Sequence, residues 1–285
     1  MTIVQQTIDE LVTLHQLEPG LRDIFVEGPS DADLIRWFLE ARGIKGVKVK
    51  NIDAIHIPNK LVESQGLTPG AHGRVVTLAI LLQKKLGDGL GIRCIADADH
   101  MRIIDPQSFN PYLLFTDYTC MEMYAFNASS ISKIFHAALG SPGTVASVMG
   151  SIAESLREVF LLRGAAKLTG VPLRFPPLDK SCSIRLGALT FDYPQYEARV
   201  IQASSAIVHT EYLHQTMASL RAKLPRDARH SAQGHDLIEL LTQQARALGN
   251  RNLQKDSIRM AMISSLDATE LAKETLFASI LEFLV

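Results

Sequence analysis

The chain has 285 residues and a formal net charge of −1, with 47% hydrophobic residues, enough apolar material for one large domain or two ordinary ones. A field this close to neutral excludes bulk positive charge as the means of holding nucleic acid, so any such binding must use local patches or a partner. No apolar run approaches the length that spans a bilayer, so no membrane partner is expected. Cys94, Cys120 and Cys182 are widely spaced, with no C-x-x-C pair. They suggest neither a disulfide framework nor a zinc site and favour a reducing cytoplasm. Met1 to Gln6 show no basic start followed by an apolar stretch, so no secretory leader is expected.

Ile8, Leu11, Leu14 and Leu17 recur at helical spacing and predict a short amphipathic helix over 3–18. A strand over about 22–26 follows, then a Gly28-Pro29 turn in which Gly28 is expected to permit a tight bend. Ser30 is a natural N-cap with Asp33 as a box-like partner, opening a helix that carries Leu34, Ile35, Phe38 and Leu39 on one face and ends near Gly43. The second strand is predicted over 47–52, followed by a long polar connection with Gly66, Pro69, Gly70 and Gly73. A helix over about 74–86 leads through a glycine-rich turn to the third strand, Ile92 to Ala96. Tyr112 to Phe115 is a fourth strand candidate, with a helix from about 119. Strands alternating with helices imply parallel pairing and right-handed crossovers, hence a small doubly wound α/β sheet over residues 1–126.

Residues 127–285 read as a mainly helical region, with helical periodicity over 128–139, 146–168, 207–223, 235–248 and 266–284. Between them, 171–193 contains Pro172, Pro176, Pro177 and the strand-like run Ile184 to Phe191, and is either a hairpin or a linker. The stripe Leu266, Leu271, Leu276, Ile280, Leu281, Phe283 and Leu284 is either ordinary core or an interface, such as that of a homodimer when active.

Two acidic clusters stand where apolar runs give way to turns: Glu27 and Asp31 after Ile24-Phe25-Val26, and Asp97 and Asp99 after Ile95-Ala96. In a parallel α/β sheet ligands bind at the carboxyl ends of the strands. Asp97 and Asp99 are two residues apart, so on extended backbone they would project to one side. Glu27 from a neighbouring strand would make three carboxylates around one point, the outline of a divalent-metal site. Mg²⁺ is bound through one or two carboxylates with waters and substrate phosphates, whereas zinc would want His or Cys. His100, directly after Asp99, is expected to be a loop residue and not a ligand.

The densest basic stretch, Arg221, Lys223, Arg226, Arg229 and His230, is either a solvated helix end or a phosphate-contacting patch. Lys60, His72 and Arg74 either reach a phosphate or are simply solvated. His235-Asp236 is either the polar start of a helix after Gly234 or part of a site or interface. No G-x-x-x-x-G-K-[ST] loop and no G-x-S-x-G elbow is present, and Gly87-x-Gly89-x-Gly91 precedes a strand where a dinucleotide loop would follow one.

A strand ending in Glu27-Gly28, a capped helix, then Asp97-x-Asp99 ending a later strand resembles the TOPRIM fold of topoisomerases, primases and OLD-family nucleases. Val26-Glu27-Gly28-Pro29-Ser30-Asp31 is most similar to the OLD type, in which an acid follows four residues after the Glu. The longer arrangement, with Phe115 to Tyr124 and Gly234 to Leu240, resembles the standalone TOPRIM-like proteins that include effectors of PARIS anti-phage systems. The resemblance implies a Mg²⁺-dependent (or Mn²⁺-dependent) nuclease, paired with an ABC or SMC-like ATPase and acting on nucleic acid, RNA such as tRNA before DNA. It implies Glu27 as metal ligand or general acid/base, Asp97 and Asp99 as the metal-binding pair, and Asp31 and Glu122 as helpers with a second metal or orienters of the first. Asp117 would belong to the turn before Glu122. One-metal and two-metal schemes both remain open at this point, as does a non-catalytic TOPRIM scaffold that binds the ATPase through its helical half. Haloacid-dehalogenase phosphatases also carry an Asp-x-Asp, but on their first strand and with a Thr or Val where this chain has Met101.

Overall fold

The computed structural model describes residues 5–87, 91–104, 109–139, 145–185, 188–249 and 252–284. It begins with α1 (Ile8–Leu17), β1 (Arg22–Val26), α2 (Pro29–Ala41), β2 (Val47–Asn51), the short α3 (Asn59–Glu63), α4 (Ala71–Leu86), β3 (Ile92–Ala96) and β4 (Leu113–Phe115). The four strands form one all-parallel sheet in the order β2-β1-β3-β4. Val26 stands opposite Asn51 on one side and Ile95 on the other. The mixed α/β class with a parallel sheet is therefore as the alternation of elements predicts.

Alternation along the strands divides the core into two layers. Phe25, Ile92, Cys94 and Ala96 join α1 and α4 in one apolar cluster with Ile55, Val75, Leu78 and Leu82. Ile24 and Val26, fully buried, face the other way. The chain leaves β1 for β2 on one side and then crosses to β3 on the other. The point where travel across the sheet reverses lies between the carboxyl ends of β1 and β3. Such switch points open a crevice in which ligands bind.

Beyond the sheet come α5 (Ala128–Leu139), α6 (Val145–Thr169), the antiparallel pair β5 (Cys182–Arg185) and β6 (Ala188–Phe191), then α7 (Tyr193–Ala203) and α8 (Thr210–Arg221). The last four helices are α9 (Gly234–Ala247), α10 (Lys255–Ser265), α11 (Ala268–Leu271) and α12 (Thr275–Leu284). The undecided segment 171–193 thus contains a two-stranded ladder; residues 186 and 187, between its strands, lie outside the described residues. No described helix is long and apolar enough to cross a membrane.

The chain forms two compact units. The first comprises Met1–Ala98, Gln107–Asp117 and Asp267–Val285; the second comprises Asp99–Pro106 and Tyr118–Leu266. This differs from a single division at 126/127, because α12 returns to the sheet. Phe277 meets Phe38 edge-on with ring centroids 4.7 Å apart, and the Arg93 guanidinium lies 4.2 Å from the centroid of Phe283. Leu276, Phe277 and Ile280 are buried, so this part of the stripe is core of the first unit.

Two helix starts also differ from expectation. The helix expected from about 119 is a 3-10 turn over Met121–Ala125. Helix α2 is capped by Gly28 with Pro29 in its first turn, not by Ser30, because the fixed φ of proline suits the first helical position. Asp33 instead pairs with Arg36 at 2.5 Å.

Candidate functional site

Glu27 and Asp97 each stand just past the end of one of two neighbouring strands, offset by one residue because the register carries Glu27 opposite Ala96. The Asp97 backbone N–H donates to Glu27 Oε1 at 2.9 Å. Nδ1 of His72 lies 2.8 Å from the same oxygen. An ionised carboxylate only accepts, so Nδ1 carries the proton in this contact. Glu27 and His72 keep 17% and 28% of their side-chain surface exposed, so the pair is half-sunk yet open to a ligand.

His72 is the residue that sequence reasoning underrated. A crossover helix runs antiparallel to its strands, so its first turn comes back beside their carboxyl ends. Topology alone therefore brings the polar first-turn residue of α4 to the crevice. The turn is held by close packing: a Cβ at Gly73 would stand 2.2 Å from the Thr68 carbonyl oxygen and 2.8 Å from Val62 Cγ1. Only glycine fits there.

Asp31 occupies the first turn of α2, where its Oδ2 accepts the Gly28 N–H at 2.9 Å. A carboxylate here also meets the positive end of the helix dipole. Gly28 itself has φ −129° and ψ 167°, extended values that any residue adopts, so the expected need for glycine in this turn is corrected. Asp99 departs from expectation as well. The strand ends at Ala96 and Asp99 has φ +42°, so extended backbone does not carry it to the side of Asp97. Left-handed backbone costs a non-glycine residue about 1–2 kcal/mol, and its N–H is tied to the Thr119 carbonyl at 2.8 Å.

Asp99 and Glu122 belong to the second unit. There the Glu122 carboxylate lies against the start of α9: a Cβ on Gly234 would come within 2.2 Å of Glu122 Oε2. Asp236, two residues on, is only 3% exposed and receives both Nε and Nη2 of Arg163, at 3.1 and 3.0 Å. Burial alone would raise its pKa, but the hydrogen bond from His235 and the Arg163 charge outweigh it and hold the carboxyl below the ordinary carboxylate value. Asp236 is thus the centre of an internal ion pair. His100 lies in a turn, the loop position expected, and is buried there. It stacks on Phe160 at 4.0 Å, and burial is the chief cause of a pKa lowered to about 4. Asp117, in the first unit, accepts the Leu276 N–H at 3.0 Å and so caps α12.

Of the cations, Arg74 pairs with Asp53 at 2.7 Å, while Lys60 and Lys223 are exposed. Arg221 is held by Glu158, with Nη2 2.6 Å from Oε2. Arg226 has no carboxylate partner among the described residues.

Among the described residues no three His, Cys, Asp or Glu side chains gather closely enough to hold a metal. The donors at the strand ends, Glu27 and Asp97, are carboxylate oxygens. That chemistry fits a hard ion such as Mg²⁺, which takes one or two carboxylates and keeps several waters. Comparison with models of known protein families and with curated proteins returned no match.

Proposed function

We propose that this chain is a Mg²⁺-dependent TOPRIM nuclease of the OLD-like type. It cleaves nucleic acid, RNA such as tRNA in preference to DNA, as the toxic effector of an anti-phage system controlled by a partner ATPase. The observation that supports this best is Glu27 bonded to the Asp97 backbone at the switch point of an all-parallel sheet. Ligands of such sheets bind there, and the motif order resembles that of TOPRIM nucleases. The preference for RNA and the partner ATPase rest on the resemblance alone.

Phosphodiester hydrolysis needs an activated water and relief of charge on the leaving oxygen, which bound Mg²⁺ supplies. Glu27 and Asp97 would hold the ion. His72 and the Asp97 N–H fix Glu27 Oε1, so the carboxylate is oriented before substrate arrives. Glu27 would then also take a proton from that water.

The test is incubation of the purified chain, alone and with a co-expressed ATPase under phage challenge, with end-labelled tRNA and duplex DNA in Mg²⁺ or Mn²⁺. Wild type should fragment RNA, whereas Glu27→Ala and the double variant Asp97→Ala, Asp99→Ala should leave it intact. A double variant that still cuts removes the site assignment.

One observation favours a second reading, the non-catalytic scaffold. Glu27 Oε1 already has two close partners, and no group of three ligands gathers among the described residues. Calorimetric titration with Mn²⁺ separates the readings, since a silent titration supports the scaffold.

A further inference from the structure

The second unit contains a cleft of about 440 Å³ that the crevice chemistry does not use. Glu154, Arg157 and Glu158 line it from one face of α6, Arg221 from the end of α8, and Arg226 and Ser231 from the loop that follows. Three guanidinium groups thus face one space against two carboxylates. Glu158 is committed to Arg221 through both terminal nitrogens. That leaves Arg157 and Arg226 as cations with no ion-pair partner among the described residues.

Arg157 is the more telling of the two. Its Nε is buried with no hydrogen-bond partner. Arg246 and Arg259 also have an unpartnered buried Nε, but Arg246 bonds the Leu253 carbonyl and Arg259 pairs with Asp256. Arg157 has neither kind of compensation among the described residues. A buried donor left unpaired lowers stability, so a guanidinium kept in this state beside an open cleft is poised for an external acceptor.

We propose that this cleft binds phosphate groups, with Arg157 and Arg226 donating to their oxygens and the Arg221–Glu158 pair forming a fixed wall. Guanidinium forks match the geometry of phosphate oxygens, and the single surplus positive charge matches one phosphodiester. Glu154 is the opposing charge on the rim. The phosphate is read from the cleft itself; that a polynucleotide carries it rests on the nuclease reading.

The experiment measures binding to the full chain without divalent metal, so that no cleavage intervenes. The probes are a short 5′-fluorescein single-stranded RNA and, separately, pyrophosphate. Arg226→Glu and Arg157→Gln should each weaken binding about tenfold and reduce the slope of log affinity against log salt by about one. Glu154→Gln should tighten it. Arg226 is exposed, so its variant tests the cleft even where Arg157→Gln fails to fold. Sensitivity of RNA binding to these changes supports the cleft with a polynucleotide as carrier; sensitivity of pyrophosphate binding alone supports it with a small phosphate. Unchanged affinity in all three variants, or no binding of either probe, overturns it. Failure of the nuclease reading shows differently, as RNA left uncut in Mg²⁺ while binding stays sensitive to Arg226.

Discussion

His72 Nδ1 stands 2.8 Å from Glu27 Oε1, and the same oxygen accepts the Asp97 N–H at 2.9 Å. One helix turn and one neighbouring strand therefore fix a single carboxylate oxygen. Residues that orient a catalytic carboxylate in this way typically contribute about 10–100-fold to metal affinity or activity. On the proposed nuclease reading, His72→Ala should lower both Mn²⁺ affinity, read by calorimetry, and RNA cleavage by about that factor. His72→Asn, which keeps a donor, should recover part of the loss. Equal behaviour of the two variants would show that the contact is incidental.

Gly234 makes room for Glu122. A Cβ at this position would fall 2.2 Å from Oε2 and 2.4 Å from the carboxyl carbon, so Gly234→Ala must displace the side chain. The obstacle is the far end of a flexible side chain, so the cost falls at the low end of the about 1–3 kcal/mol that overpacking takes. The double variant Gly234→Ala, Glu122→Ala should be more stable than the sum of the single changes predicts, because the clash is gone. Urea denaturation of the four proteins measures the coupling, and strict additivity would refute it.

The sheet was legible because buried parallel strands read as apolar runs bounded by turns; 22–26 and 92–96 match β1 and β3 residue for residue. Features that depend on tertiary context were not. His72 reaches Glu27 only through the crossover geometry, the strand stops at Ala96 short of Asp99, whose φ is positive, and α12 joins the first unit through Phe277 and Phe283. One miss had a signal. Asp192, followed two residues later by Pro194, marks a helix start, and its Oδ1 does accept the Gln195 N–H at 2.9 Å. Helix α7 was overlooked because its apolar face is narrow, with only Tyr196, Val200 and Ile201 buried.

Asp236 and Arg163 form a buried pair, with side chains 4% and 18% exposed. Removing one partner leaves the other charge uncompensated, which costs about 3–5 kcal/mol. Asp236→Ala should lose that much in urea denaturation, whereas His235→Ala, at a side chain 60% exposed, removes one hydrogen bond to Asp236 but leaves the Arg163 pair and should lose much less. Equal effects would mean that the motif serves something other than this ion pair.

Asp23 supplies the pH test. Its carboxylate is almost fully buried, 3.4 Å from His15 Nε2 and 3.3 Å from Lys50 Nζ. Burial alone would raise its pKa; the His15 hydrogen bond and the Lys50 charge overcome burial and lower it below the ordinary 3.8. A depressed carboxyl pKa contributes stability that is present above the unfolded value and is lost as pH falls through the folded one. The acid limb due to Asp23 should therefore lie below about pH 4. Lys50→Met removes one opposing influence, so burial regains ground, the folded pKa rises and the contribution at neutral pH shrinks. Where it rises above the unfolded value the sign reverses, and Asp23 destabilises the variant at neutral pH. Thermal unfolding of wild type and Lys50→Met from pH 3 to 7 should accordingly show their stabilities converging on acidification, and a constant gap would exclude this account.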